Sequence, residues 1–248
     1  RLRAILDLID KYFPDCQMIN MDATVTSIRL KSDEELQELY DRKVRHLYLG
    51  IESGLDDVLK FMRKEHTQDQ AYKEIARIQR VGLIFDAHVM SGVAGKGRGQ
   101  ENAIALAEFL NKTQPDRIVN FSLFLHNQVA LYEDIKSGAF IPADEVENME
   151  EERTLIELLK EGPDGHQMLY DGFNDFLELR VKGKVPKDAS RMIEKLTEAI
   201  EKYKDEPPIY AYVRGDCPDL SMCDGGRWLW EMDDSKLAQY NEKEKKLS

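Results

Sequence analysis

Apolar runs of strand length recur along this chain at intervals of roughly 30 to 40 residues, each followed by a segment with helical periodicity. That rhythm constrains the fold more than any other feature. Strands are predicted at 17–25, 46–52, 84–91 and 117–125, and helices at 33–43, 55–63, from Thr67 to Gly82, 100–113 and near 130–137. Ser32 with Glu35 and Thr67 with Gln70 have capping-box spacing, and Gly82 supplies a helix stop. Such alternation implies βα units on a parallel sheet. After Pro142 the rhythm changes to a helix near 144–161, a mixed stretch at 166–185, a helix at 187–204 and a break at Pro207-Pro208. The expected division is an α/β domain over 1–162 and a mainly helical extension over 163–248.

Side chains alternate across a strand, so each strand divides into two faces. In the second strand Leu47, Leu49 and Ile51 oppose His46, Tyr48, Gly50 and Glu52. Elsewhere Asn20, Asp22 and Thr24 oppose Ile19, Met21 and Ala23; Asp86 and His88 oppose Phe85, Ala87 and Val89; Asn120 and Ser122 oppose Val119 and Phe121. A parallel strand covered on both sides is nearly continuous in apolar residues. One polar face per strand instead predicts a barrel whose interior receives a polar ligand. Gly50-Ile51-Glu52-Ser53-Gly54 sets one carboxylate at the end of a strand, where ligands of parallel α/β folds bind. The competing reading makes each polar residue a satisfied core group or a cap.

With 35 Lys and Arg against 47 Asp and Glu, the formal charge is −12. A binder of anionic backbones presents a basic stripe, so no nucleic-acid partner is expected. There is no apolar run of about 18 residues and no signal-peptide pattern, which reads as a soluble, cytoplasmic chain with no membrane partner. Cys16, Cys217 and Cys223 are too few and too scattered for a disulfide scaffold. Their spacing, and that of His66, His126 and His166, gives no reason to assign a metal. The loop from Ser91 to Gly99 is glycine-rich but has no Walker pattern, since Gly97 follows Lys96.

The combination LYLGIESGLDDVLKFMRKEHT (47–67), RVGLIFDAHVMSG (80–92), QPDRIVNFSLF (114–124) and LYEDIKSGAF (131–140) resembles the radical S-adenosylmethionine superfamily. The nearest branch is the iron–sulfur oxidoreductases similar to anaerobic coproporphyrinogen oxidase and the elongator-type enzymes. The resemblance covers roughly residues 1–160. It implies a partial TIM-type (β/α)6 barrel, truncated at its N-terminus so that strands 3–6 are in view. It also implies a [4Fe–4S] cluster that reduces S-adenosylmethionine to release a 5′-deoxyadenosyl radical, and an electron donor such as flavodoxin or ferredoxin. The substrate stays unknown, and so do the catalytic residues.

On this resemblance Glu52, with Ser53 beside it, would meet the ribose or amino group of the cofactor, and Lys64 the methionine carboxylate. His88 would lie near the methionine moiety, Met90, Gly92 and Phe124 would approach the adenine, and Asp22 would stand at the margin. The family's C-x3-C-x2-C motif and its GGEP-like element are absent and would lie upstream of Arg1. His126-Asn127-Gln128-Val129-Ala130-Leu131-Tyr132 replaces the P-G-T-P-L-Y of relatives. A non-catalytic nucleoside-binding or interaction module, and an acid–base enzyme using Glu52 and His88, remain alternatives.

Overall fold

Local capping chemistry sets the start of several of the helices. The computed structural model describes residues 1–126, 128–174 and 177–213 and the backbone of 227–228. Helix α1 (Leu2–Tyr12) leads to strand β1 (Ile19–Ala23), and α2 (Val25–Arg29) and α3 (Asp33–Asp41) lead on to β2 (Val44–Glu52). The capping box opening α3 is built: Ser32 Oγ accepts the Glu35 N–H at 3.2 Å, and Glu35 accepts the Ser32 N–H at 3.0 Å. After α4 (Asp56–Phe61), the same exchange between Thr67 and Gln70 opens α5 (Gln68–Arg80). Gly82, at φ +86°, ends that helix while the Leu83 N–H reaches back to Ile78 O at 3.0 Å.

Strand β3 (Ile84–Ser91), helix α6 (Gly99–Thr113) and strand β4 (Arg117–Ser122) complete the expected repeat. A short β5 (Leu125–His126), α7 (Ala130–Lys136) and α8 (Glu145–Leu158) follow. The mixed stretch resolves into strands β6 (Met168–Asn174) and β7 (Leu179–Val185), ahead of α9 (Ala189–Tyr203). Strands therefore share the region beyond residue 162 with its helix. The sheet order is β1-β2-β3-β4-β6-β7, its first five strands parallel and β7 antiparallel to β6. A second sheet joins β5 to β8 (Tyr210–Val213) and β9 (Arg227–Trp228). Cys217, Cys223, Trp230 and the charged run at 242–246 lie outside the described residues. No helix of the described residues is long and apolar enough to cross a membrane.

One buried core underlies the helix side of the sheet, where Leu47, Leu49, Ile51, Phe85, Ala87, Val89 and Ile118 cluster with residues of α1, α2, α3, α5, α6, α8 and α9. The opposite face keeps Tyr48, His88, Met90, Phe121 and Phe173 half-buried. Their rings form a cross-strand row: Tyr48 to His88 at 5.1 Å, His88 to Phe121 at 5.8 Å and Phe121 to Phe173 at 5.6 Å. This corrects the expected polarity of one strand. Register pairs Met90 with Phe121 and Ser91 with Ser122, so in β4 the apolar Val119 and Phe121 face the open side. Asn120 and Ser122 point into the helix layer, which carries polar groups to meet them.

Candidate functional site

Glu52 ends β2 in a backbone conformation that side chains rarely adopt, φ +62°. The Ser53 N–H reaches back to Ile51 O at 2.8 Å, closing a three-residue turn around Glu52. Pairing with β3 slips by a residue between Gly50 and Glu52, the kind of bulge that re-aims a side chain. A Cβ on Gly50 would come within 2.6 Å of Glu52 Oε1, so Gly50 makes room for the carboxylate on the open face.

The partner of Glu52 comes from the end of α4. Arg63 takes the left-handed position, φ +57°, and the Lys64 N–H closes on Leu59 O at 2.9 Å, a Schellman pattern with Arg where Gly is usual. Lys64 Nζ then reaches Glu52 Oε1 at 2.7 Å, with side-chain exposures of 31% and 18%. A half-buried ion pair on an open face offers a carboxylate to hydroxyl or ammonium donors and a cation to a carboxylate. Beside it lies His66, whose Nε2 is buried without a hydrogen-bond partner. Burial and the Lys64 charge push the imidazole below its usual range, against the pull of Glu52 and Asp56, and so favour its neutral form. The spacing of His66 to the other histidines gives it no role in the sequence, although its place two residues after Lys64 is a signal.

The other expected contacts divide. His88 and Met90 share the open face with Glu52. Asp22 is exposed on edge strand β1 opposite Tyr48, and Phe124 is exposed just beyond β4. Ser53 is a correction: its hydroxyl is fully buried and donates to Asn102 Oδ1 at 2.6 Å, so it serves the loop rather than a ligand. Gly92 is another, because its N–H donates to Glu151 Oε2 at 2.9 Å and its carbonyl accepts the Gly95 N–H at 3.0 Å. The N–H of that residue is therefore not left for an adenine.

Behind these loops α8 carries three buried carboxylates that nothing in the sequence marks as interior. Glu145 lies 3.2 Å from the Ser122 hydroxyl and accepts from Asn148 at 3.0 Å. Glu152 accepts from the Tyr170 hydroxyl at 3.0 Å and from Asn174 Nδ2 at 2.8 Å, and Asn120 donates in turn to Tyr170 at 2.9 Å. Burial raises Glu145, Glu151 and Glu152 each to about 7, with their hydrogen bonds acting in the opposite direction.

At the amino ends of the strands, His46 Nδ1 and Asp86 Oδ2 lie 2.6 Å apart, and with Asp116 they offer three ligand atoms within 4.8 Å of one another. The direct hydrogen bond already engages both His46 and Asp86, and Asp86 is pushed up chiefly by burial. Among the described residues the one free thiol is Cys16, so they contain no set of cluster-ligating thiolates.

No family model matches the chain. Over 101 residues it is 31% identical to the tRNA-2-methylthio-N(6)-dimethylallyladenosine synthase of Acinetobacter baumannii, covering 39% of this chain and 20% of that protein. Over 120 residues it is 24% identical to the tRNA uridine(34) acetyltransferase of Methanocaldococcus infernus, covering 48% of this chain and 22% of the relative. The chain thus spans about a fifth of the length of the curated relatives it matches. A solved structure of archaeal Elp3 from Methanocaldococcus infernus, lacking its N-terminal segment 1–46, superposes with a TM-score of 0.55 at 17% identity, covering 75% of this chain and 42% of that one.

Both curated relatives are named for tRNA, which overturns the expectation of no nucleic-acid partner. Net charge weighs every face of a molecule equally, whereas RNA needs cations on one face only. A parallel-dominated α/β sheet like that of this solved structure, together with the sequence similarity above, supports a relationship to the radical S-adenosylmethionine superfamily.

Proposed function

We propose that the open face of the sheet is the S-adenosylmethionine-binding wall of an enzyme that modifies RNA. The observation that carries this reading is the Glu52–Lys64 pair, held half-buried on a strained turn beside Gly50. Strain of this kind costs about 1–3 kcal/mol and persists where the surroundings fix it, often at ligand sites. The donor set fits the ligand. A zwitterion with a ribose asks for a carboxylate and a cation, which Glu52 and Lys64 supply, and for apolar and aromatic walls, which Met90 and His88 supply.

When bound and reduced, this cofactor supplies a carbon radical for hydrogen abstraction. The chain's own residues would do the binding: Lys64 would hold the ligand carboxylate, and Glu52 the ribose or ammonium. Asp22 and Phe124 flank that wall. The described residues offer no thiolate set for an iron–sulfur cluster, so the reading concerns the binding half of the site alone. The substrate class, tRNA, follows the names of the curated relatives.

Calorimetric titration of the chain with S-adenosylmethionine tests the reading. Binding is expected, and Glu52→Gln and Lys64→Met should each weaken it by about tenfold or more, the scale of one lost charge-assisted hydrogen bond. Affinities unchanged in both variants, or no binding by the unmodified chain, would sink it.

A further inference from the structure

Glu151 stands on α8, away from the strands that carry Glu52 and Met90, yet the loops behind both residues end on its carboxylate. Its Oε2 accepts the Gly92 N–H at 2.9 Å and its Oε1 accepts Asn102 Nδ2 at 2.7 Å. Asn102 Oδ1 in turn accepts the Ser53 hydroxyl at 2.6 Å and the Gly54 N–H at 3.1 Å. Glu151 and Asn102 are both buried, so water does not substitute for these bonds. The polarity of the chain is fixed: the carboxylate faces two donors and needs both oxygens as acceptors.

We propose that Glu151 is the positioning residue of this site, its ionised carboxylate, relayed by Asn102, holding the Ser53-Gly54 turn behind Glu52 in register with the Gly92 turn behind Met90. The ligand's identity rests on the reading above; the clamp rests on the geometry. Titratable groups facing Glu151 are Glu147 and Glu152 on its own helix and the Tyr170 phenol on β6. From α6 it meets Asn102 and Gly99, which carry no charge. Burial raises Glu151 to about 7. A protonated carboxyl is a weaker acceptor for both donors than a carboxylate, so the clamp loosens as pH falls through that value.

Glu151→Gln keeps the shape and spoils the polarity. The new amide nitrogen opposes either the Gly92 N–H or the Asn102 amide, and if Asn102 turns over to accept from it, the Gly54 N–H loses its acceptor. The double variant Glu151→Gln/Asn102→Asp restores every bond: position 151 donates to position 102 and accepts from Gly92, while the carboxylate at 102 accepts from Ser53 and Gly54.

The amide resonances of Gly54 and Gly92, followed by NMR in the full chain from about pH 5.5 to about pH 8.5, read the clamp without any ligand. Both should titrate with a midpoint near 7 and lose most of that shift in Glu151→Gln, where only the neighbouring Glu145 and Glu152 still titrate. S-adenosylmethionine affinity near pH 8 should fall about tenfold in Glu151→Gln and return in the double variant, a recovery that a merely structural role would not produce. Amide resonances that do not move with pH, or an affinity unchanged in Glu151→Gln, would overturn the proposal. Titrating amides in a chain that binds no S-adenosylmethionine at any pH would keep the clamp and remove the cofactor reading. If Glu151→Gln alone does not fold, the pH series and the double variant decide.

Discussion

Gly50 and Gly54 flank Glu52 for different reasons, and that difference is testable. A Cβ on Gly54 would overlap the backbone of Ala105 and Leu106 in α6, which cannot move without shifting the helix. Gly54→Ala should therefore destabilise the chain by roughly 2–3 kcal/mol, read as a lower urea midpoint. A Cβ on Gly50 meets the far end of the Glu52 side chain instead, at 2.6 Å. Gly50→Ala should leave the urea midpoint nearly unchanged, since the flexible side chain gives way, but weaken S-adenosylmethionine because the displaced group is the carboxylate itself. Equal effects of the two substitutions on stability would contradict this assignment. The sequence marked GIESG as a junction through its glycines and its one carboxylate. It did not show the left-handed backbone of Glu52, which depends on a register slip against β3, nor the inward turn of Ser53, which depends on Asn102 from a helix about 50 residues away.

Among the elements, those written by local chemistry were legible. The helices opened by Ser32 and Thr67 and the strand at 84–91 have the predicted bounds within about two residues, because capping and alternation involve neighbours in sequence. Helix α8 was legible as a helix but not as a buried one. Its run of glutamates reads as a solvated face, and only packing against Asn102, Asn120, Ser122, Tyr170 and Asn174 makes it an interior polar layer. The inverted face of β4 follows from the same layer, since Asn120 and Ser122 turn toward it. Glu145, Glu151 and Glu152 bind protons more tightly in the folded chain than in the unfolded one, whose carboxyls titrate near 4.3. Between about pH 4.5 and pH 7 the native state holds the extra protons, so stability falls as pH rises through that window. His66, pushed down, acts oppositely below its usual value near 6.5, so a comparison is the clean measurement. Glu152→Gln should gain on the unmodified chain by roughly 1–3 kcal/mol between pH 5 and pH 8 in urea unfolding. A constant difference across those pH values would refute the burial argument. Global stability and order at the site thus favour opposite sides of neutrality: the ionised state that engages the clamp is the one that burial disfavours.

At the scale of the whole molecule, the division expected at residue 162 meets a core that continues past it. Leu6 of α1, Leu47 of β2, Phe109 of α6, Tyr170 of β6 and Leu196 of α9 belong to one buried cluster. The strands responsible were not legible, because Met168–Asn174 carries polar residues on both faces: Asp171 turns to Arg180 at 2.8 Å on one, and Asn174 to Glu152 at 2.8 Å on the other. Neither face shows the period-2 alternation by which a strand is read. Removing everything after residue 162 would expose Ile118 and the long edge of β4, and would strip Glu152 of the Tyr170 and Asn174 donors that make its burial tolerable. A buried carboxylate without partners is far more damaging than a lost contact, since its desolvation is no longer offset. A chain ending at residue 162 should therefore show no cooperative thermal transition by circular dichroism, whereas the full chain should melt in a single transition. A sharp melt of the shortened chain at the parent temperature would mean that the sheet is complete without β6, and that the hairpin and α9 form a separate unit resting on a finished domain.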